Sequence, residues 1–363
     1  MIARKQHRFD PDYAVPPGAT LEESMHALGM TQRELADRTG LTVQTLNRIF
    51  KGEQPISYET ANKLELVTGV PAGFWNNLEA QYREQLARME QDREMEAHLD
   101  WLKRVPTQEL IKRKVIPASD DKVLLLRESF RFYGVSSVDA WRAVWERPAA
   151  AARRSTLFES SPGVTSAWLR LGQLQAREID CQPYDKKAFA EALISIRTLT
   201  VKKSSVFIPE MKRLCAQSGV AFVLVPEIKG APWSGAAEWL SATKAMILLN
   251  LRGKAEDRFW FTFFHEASHI LNDSKKDTFI DDGKPYEADP AEERADNYAA
   301  EMMIPAKHNP AIKAARSAED IKALARQLAT SPGIVAGRYQ HLTKKWAQFN
   351  GLKQRMEWEA IVS

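Results

Sequence analysis

The sequence lacks the features of membrane and secreted proteins. No run of about 18 apolar residues occurs, which argues against a transmembrane helix, and the first residues, Met1 to His7, contain no apolar stretch of the kind found in secretory signals. Cysteine is scarce, with only Cys181 and Cys215 present, so neither a disulfide framework nor a cysteine zinc site fits. We therefore expect a cytoplasmic protein with reduced thiols and no membrane partner.

A strong net charge is also missing. The 363 residues carry a formal charge of +4, with 44% hydrophobic and 27% charged residues, which is ordinary for a globular protein. So mild a charge neither indicates nor excludes nucleic-acid binding, because local clustering of basic side chains decides that property. The length predicts two or three domains.

Changes of pattern along the chain predict four regions. Residues 20–86 are expected to contain short helices that begin at caps, with Thr20, Thr31, Thr42 and Ser57 as the first residues, and a long charged helix is expected over residues 79–105. Mostly helical sequence follows, in which Trp141, Trp145 and Trp168 are expected to be packing residues. The four predicted regions are a helical N-terminal domain, a helical connector of unknown role, a domain with strands and a helical C-terminal extension, at residues 1–86, 87–204, 205–310 and 311–363.

Three apolar segments predict a small sheet, at residues 220–225, 235–240 and 245–250. An apolar helix is expected over residues 259–271, and a further helix from near Pro290 to about Met303. Because the third strand comes shortly before the apolar helix, we expect it to be an edge strand that could hold an extended peptide by β-addition.

The apolar helix contains a pair of histidines four residues apart. His265 and His269 would lie one turn apart on the same helix face, and two imidazoles so placed can bind one Zn²⁺ at about 2.0–2.1 Å. Glu266 lies beside them, where it can act as a general base on the attacking water without being a ligand. The pattern predicts a catalytic zinc site, because a purely structural site would need no such base.

A catalytic zinc ion needs a third protein ligand and an open position. Glu292 and Asp296 are four residues apart on the next helix, so both can face the histidine helix. We predict Glu292 as the third ligand, with Glu293 as the alternative. Asp296 is predicted to accept a hydrogen bond from the far nitrogen of one ligand histidine.

A protease also requires a hydrogen-bond donor for the oxyanion that develops during peptide cleavage. The C-terminal region offers His341, which we predict as a catalytic group. Tyr298, Arg338 and Tyr339 are alternative donors, and the sequence alone does not choose among the four.

A helix-turn-helix pattern precedes Gly52. Thr31 and Glu34 make a capping box, Gly40 permits a tight turn, and Thr42 caps a second helix. This second helix is expected to read bases in the major groove of a double-stranded DNA operator. The predicted DNA-contacting residues, of which the first and the last are placed for phosphates, are Gln32, Thr42, Gln44, Thr45, Asn47, Arg48 and Lys51.

One such module would bind DNA weakly, so we expect a homodimer on a palindromic site. A helical packing module without a DNA role is the alternative. Versions of the fold that bind protein partners are also compatible with the sequence.

These segments carry resemblances to two known families. Similarity to an Xre-type helix-turn-helix, closest to the HigA antitoxin kind, lies in the runs Gly29–Ala36, Asn47–Gly52, Pro55–Ala61 and Gly73–Leu78. Similarity to the ImmA/IrrE metallopeptidases lies in the runs Phe261–His269, Ala295–Pro305 and Ser331–His341. Residues 87–204 resemble neither family.

The fold class that follows is mainly α. It comprises an N-terminal lambda-repressor-like helical domain, a helical middle region and a small α+β zincin-like domain, whose antiparallel or mixed sheet packs on the histidine helix. The resemblance implies Glu292 as the third ligand, and zinc-dependent cleavage of a repressor or regulator in a stress, mobile-element or toxin–antitoxin context. Two features depart from the family: Arg294 stands where a glutamate is frequent, and regulator and peptidase share one chain. The fusion would allow cleavage in cis, or tethering of the protease beside a DNA-bound target.

The competing hypothesis belongs to a different functional class. In it the chain is a non-proteolytic, antitoxin-like transcriptional repressor that binds a toxin or a signal through its zinc domain. The helix-turn-helix region, residues 20–86, motivates this alternative.

Overall fold

The computed structural model describes residues 13–146, 161–231, 233–251, 255–275, 278–281 and 289–356. The chain divides into two compact units, Met1–Leu99 and Asp100–Ser363, and each is described by itself. Within the described ranges, no helix combines the length and the apolar character that crossing a lipid bilayer requires. The fold is mainly helical with one small mixed sheet, as predicted.

Short helices around an apolar core form the described part of the first unit. They are α1 (Pro17–Ala27), α2 (Gln32–Thr39), α3 (Val43–Phe50), α4 (Tyr58–Thr68) and the longer α5 (Ala72–Glu96). Three begin at predicted caps, where the side chains of Thr31, Thr42 and Ser57 accept backbone N–H groups. Thr20 is not a cap, contrary to expectation, because Pro17 already starts α1 with the fixed φ that suits a first helical turn.

Helix α5 differs from the charged helix expected over residues 79–105. It begins earlier, at Ala72, and ends earlier, at Glu96. Trp75 is fully buried in the core of this unit, so the apolar and the charged stretches belong to one helix. The Glu79 carboxylate accepts the backbone N–H of Ile56 at 3.0 Å, and this bond ties α5 to the loop between α3 and α4.

The second unit opens with helices. They are α6 (Thr107–Lys112), α7 (Lys122–Tyr133), α8 (Val138–Trp141), α9 (Pro162–Glu178), α10 (Lys186–Arg197) and α11 (Ser204–Gln217), with a π-helical turn at Arg142–Glu146. Trp141, Trp145 and Trp168 are buried, which confirms the prediction that they pack in the interior.

The sheet has the order β1-β3-β2-β4. Its strands are β1 (Val220–Leu224), β2 (Gly235–Ser241), β3 (Lys244–Leu249) and β4 (Phe279–Asp281). β3 pairs in parallel with β1 and antiparallel with β2, whose other side pairs antiparallel with β4. The expectation that the third strand lies at an edge is therefore wrong: β3 is internal, because the earlier β1 adds beside it through a non-local parallel pairing.

Helices cover both faces of this sheet. On one face lies α12 (Glu256–Asn272), with Phe263 packed edge-on against Phe222 of β1. On the other face lies α9, so close that a Cβ added to Gly172 would stand 2.5 Å from a Leu248 methyl carbon. The Trp168 indole donates to the Val225 carbonyl at 3.3 Å. The helical region before residue 204 thus belongs to the same compact unit as the sheet, while the predicted limits at 86, 204 and 310 remain predictions.

The chain continues with four more helices in the described C-terminal range. They are α13 (Pro290–Met303), α14 (Asn309–Ala314), α15 (Ala318–Leu328) and α16 (Pro332–Thr343). The predicted end of α13 at Met303 is confirmed. Cys181 and Cys215 are free thiols, in agreement with the absence of a disulfide framework.

Candidate metal centre and DNA-binding surface

The centre of the second unit is the histidine pair on α12. The aromatic side chains of this helix pack into the main core, and His265 and His269 are each 2% exposed. Their spacing of one helical turn brings the two Nε2 atoms to 3.2 Å from each other. Two imidazoles that converge in this way can direct one nitrogen each at the same point.

Helix α13 crosses α12 and brings a carboxylate to the same point. Glu292, in its first turn, is buried, with Oε2 3.0 Å from His265 Nε2 and Oε1 3.6 Å from His269 Nε2. Burial opposes ionisation of this carboxyl, but hydrogen bonds and positive charge from Nε2-protonated His265 and His269 outweigh it and lower the pKa of Glu292 to about 2. A metal ion bound at this point would replace the protons on the two Nε2 atoms. Glu293 is exposed, so the geometry favours Glu292 over the alternative.

The three side chains fit a tetrahedral metal ion. Ligand atoms at about 2.0–2.1 Å from a metal, at tetrahedral angles, stand about 3.3–3.4 Å from each other. The separations of 3.0, 3.2 and 3.6 Å between donor atoms lie around that value. His265, His269 and Glu292 therefore form a group that could bind a metal ion.

Carboxylates hold the outer nitrogens of both imidazoles. Asp296 Oδ1 lies 2.9 Å from His265 Nδ1, as the spacing on α13 predicts. Asp273 Oδ2 lies 2.8 Å from His269 Nδ1, a contact the sequence interpretation missed. The signal was present, because Asp273 continues the four-residue spacing of the histidines at the end of α12. An Nδ1–H donated to a carboxylate leaves Nε2 as the lone-pair atom in each ring.

Two further residues support His269. Arg294 forms an ion pair with Asp273, which joins the end of α12 to the first turns of α13. The Phe279 ring from β4 stacks on the His269 imidazole at 4.0 Å between centroids and 8° between planes. Arg294 occupies the position that departs from the family pattern. Its guanidinium neutralises Asp273, the acid that contacts the outer nitrogen of the candidate ligand His269.

Glu266 is fully buried between α12 and the sheet. Its side chain faces Gly235 at the start of β2, where an added Cβ would stand 2.5 Å from Glu266 Oε1 and 2.5 Å from a Thr262 methyl carbon. Only a residue without a Cβ lets β2 and α12 approach this closely. The glycine therefore makes the space in which the carboxylate lies.

Two of the four candidate oxyanion donors, Tyr339 and Arg338, make structural hydrogen bonds. Tyr339 donates its hydroxyl to Gln348 Oε1 at 2.7 Å, and Arg338 donates to an asparagine of α14 at 3.0 Å, so both have structural partners. His341 is exposed near the end of α16. Partial burial, Lys344 and Arg338 lower the pKa of His341, while Asp296 acts in the opposite direction. Burial raises the pKa of Tyr298 to about 12, so its hydroxyl remains a donor.

In the first unit, α3 presents a polar face to solvent. Gln44, Asn47 and Arg48 are exposed, as is Lys51 directly after the helix. Leu46 and Ile49 on the opposite face are buried in the core. Thr42 Oγ1 accepts the backbone N–H of Thr45 at 3.0 Å, so these two threonines also shape the start of the helix.

Gln32 connects the two helices of the motif. Its Nε2 donates to Asn47 Oδ1 at 2.9 Å and to the Val43 carbonyl at 3.3 Å. The second bond fixes the orientation of the amide, because a flipped Gln32 would direct its oxygen at the carbonyl oxygen of Val43. Both N–H groups of Gln32 are thus directed at α3 rather than outward to a phosphate.

Comparison with known families agrees with this arrangement. A helix-turn-helix family model matches residues 22–75, and the model of a peptidase family described as an IrrE N-terminal-like domain matches residues 223–339. A comparison with curated proteins found no match. The predicted fusion is confirmed: the chain joins an Xre-type helix-turn-helix DNA-binding domain to an ImmA/IrrE-like, protease-like domain.

Proposed function

We propose that the chain is a transcriptional regulator with zinc-dependent endopeptidase activity, which cleaves a repressor or another regulatory protein in the cytoplasm. The observation that carries the proposal is that His265 and His269 of α12 and Glu292 of α13 bring their ligand atoms to 3.0–3.6 Å from each other, with Glu266 on the same helix as the two histidines. The helix-turn-helix domain supplies the regulatory half of the proposal.

Zinc is the metal that this donor set suits best. Two imidazole nitrogens and one carboxylate, with a fourth position left open, are the ligands of zinc hydrolases, whereas magnesium and calcium favour oxygen donors alone. Bound there, zinc would act as a Lewis acid toward a peptide carbonyl and lower the pKa of a water molecule.

The remaining steps fall to side chains of this chain. Glu266 takes the proton from the water that attacks the peptide carbonyl, and then delivers it to the nitrogen of the leaving amine. Asp296 and Asp273 keep each histidine in the tautomer whose Nε2 lone pair faces the metal position. His341 and Tyr298 are the donors we propose for the developing oxyanion, since the other two candidates already have structural partners.

The DNA-binding half follows from the exposed face of α3. We propose that Gln44, Asn47 and Arg48 read base edges in the major groove, and that Lys51 contacts a phosphate. Gln32 then acts by holding Asn47. A homodimer on a palindromic operator would supply the affinity that one copy of the motif lacks.

The test separates metal binding from proteolysis. Purified protein should contain about one zinc ion per chain, and His265→Ala should lose it. Glu266→Gln should retain zinc but lose cleavage, measured by comparing protein fragments by mass spectrometry in cells that express each form. Glu293→Gln is the matched control: it also neutralises a glutamate beside the centre, but an exposed one, and it should leave zinc and cleavage intact.

Two outcomes would contradict the proposal. A native protein without zinc after purification in metal-containing buffer would remove its basis. If Glu266→Gln regulated transcription as the native protein does and no fragment depended on Glu266, the antitoxin-like repressor would be the better description.

A further inference from the structure

A cavity of about 340 Å³ lies in the second unit, away from the histidine pair. It is bounded by α9, by the end of α7, by the π-helical turn after α8 and by β2. Along β2, Gly235 and Ala237 face α12, whereas Glu238 faces α9 and the cavity. Because strand side chains alternate between faces, the cavity and the metal centre lie on opposite faces of the sheet. Its volume is within the range of small-molecule sites.

The α9 wall carries positive charge. Arg170, Gln173 and Arg177 are spaced three and four residues apart, so they form one stripe along this helix. Arg170 is 9% exposed, with its Nε donating to the Phe132 carbonyl at 2.7 Å. Burial and the neighbouring Arg177 lower the pKa of Arg170. Arg170 also donates Nη1 to Gln173 Oε1 at 3.3 Å, so its positive charge is held in place beside the cavity. Among the described residues, no hydrogen bond or ion pair of the Arg177 guanidinium is found, so this group can contact a molecule in the cavity directly.

Among the described residues that line the cavity, one acid, Glu238, faces the two arginines. Both oxygens of Glu238 accept hydrogen bonds from Gln173 Nε2 at 3.1 Å. Burial raises the pKa of Glu238, against the influence of Gln173 and the two arginines. A single carboxylate that is hard to ionise does not balance two guanidinium groups, so the cavity has an excess of positive charge.

The remaining walls are aromatic and apolar. Trp145 donates its indole N–H to the Tyr133 carbonyl at 3.2 Å, which fixes its ring against the end of α7. The Tyr133 hydroxyl donates to the Gly163 carbonyl at 3.2 Å, so this ring is also held. Val144 lines the cavity and is 52% exposed. Rigid rings beside a charged stripe provide both halves of a site for an amphipathic small molecule.

We propose that this cavity binds a small organic anion, whose phosphate or carboxylate lies between Arg170 and Arg177 and whose flat or apolar body lies against Trp145 and Val144. Guanidinium groups match the planar, paired oxygens of both anions. The site would be a place for an effector of the regulator, and it does not depend on the metal centre or on proteolysis.

The test uses two anions and their neutral counterparts on the full-length protein. AMP is compared with adenosine, and benzoate with benzamide, by isothermal titration calorimetry. We expect saturable binding of at least one anion and much weaker binding of its neutral partner. Binding of AMP alone indicates a phosphate site, and binding of benzoate alone indicates a carboxylate site. If neither anion binds more tightly than its neutral partner, the proposal is wrong.

Three substitutions then locate the binding. Arg177→Gln changes an exposed side chain and should weaken binding of the anion about ten-fold, the loss expected for one charge-assisted hydrogen bond. Glu238→Gln removes the opposing acid and should strengthen binding. Arg316→Gln, which also removes an exposed arginine of this unit but outside the cavity, should have no effect. Equal affinity of the Arg177→Gln and native proteins would refute the proposed site.

Discussion

Replacement of Asp273 by asparagine tests the interpretation of the metal centre most directly. The change keeps the shape of the side chain but removes the negative charge that faces His269 Nδ1 at 2.8 Å. Loss of such an outer contact typically lowers metal affinity about 10–100-fold, which corresponds to about 1.4–2.8 kcal/mol. The Asp273 side chain is 7% exposed, so water cannot replace it and we expect the full effect.

Asp296 provides the comparison within the same centre. It makes the equivalent contact with His265 at 2.9 Å, but its side chain is 51% exposed. Solvent screens such a contact, and exposed charged pairs contribute about 0.2–1 kcal/mol. Asp296→Asn should therefore weaken zinc binding by less than about five-fold. The expected difference between the two acids follows from their different burial.

The assay is a zinc titration against a chelator of known affinity, with far-ultraviolet circular dichroism to verify that each variant is folded. Glu293→Gln, an exposed acid on the same helix as Asp296, serves as the control and should match the native protein. An Asp273→Asn protein with native zinc affinity would refute the reasoning. So would a larger loss in Asp296→Asn than in Asp273→Asn.

Three further predictions concern other parts of the molecule. Gly235→Ala should lower stability by about 1–3 kcal/mol in denaturant unfolding, because its Cβ would clash with Glu266; an unchanged midpoint would contradict the close approach of β2 and α12. Gln32→Ala should weaken binding to the operator about five-fold, the loss of about one hydrogen bond to Asn47, yet leave non-specific DNA affinity unchanged in fluorescence anisotropy. Glu238→Gln should raise the melting temperature at pH 7.5 but not at pH 4. Because burial raises the pKa of Glu238 in the folded state above its ordinary value of 4.5, the native glutamate destabilises the fold once the pH rises above 4.5. An equal gain at both pH values would contradict that cause.

Features that depend on residues close together in the sequence, such as helix caps and helix starts, were predicted from the sequence. The caps at Thr31, Thr42 and Ser57 depend on side chains that bond within their own turn. The histidine pair and the start of α13 depend on helical spacing and on a proline at a first turn. These features could be read from residues a few positions apart, and the structure has them where the sequence indicated.

Features that depend on distant residues were missed or misjudged. The internal position of β3 follows from its parallel pairing with β1, and no pattern within either strand specifies a partner. β4 is only three residues long, too short for an alternation of polar and apolar side chains to be recognised. For the same reason the stacking of Phe279 on His269 had no signal in the sequence. The contact of α9 with the sheet likewise joins segments that the sequence pattern assigned to different regions.

Position 294, which departs from the family pattern, makes a contact beside the candidate metal centre. A glutamate there would stand near Asp273 with the same charge, whereas Arg294 pairs with it. The pair links the end of α12 to the start of α13, and these two helices supply all three candidate ligands. Since ligand atoms must stay about 3.3–3.4 Å from each other for tetrahedral coordination, the spacing of the two helices sets the fit of the site. The Arg294–Asp273 pair therefore connects the two helices across which Glu292 meets His269 in the candidate metal centre.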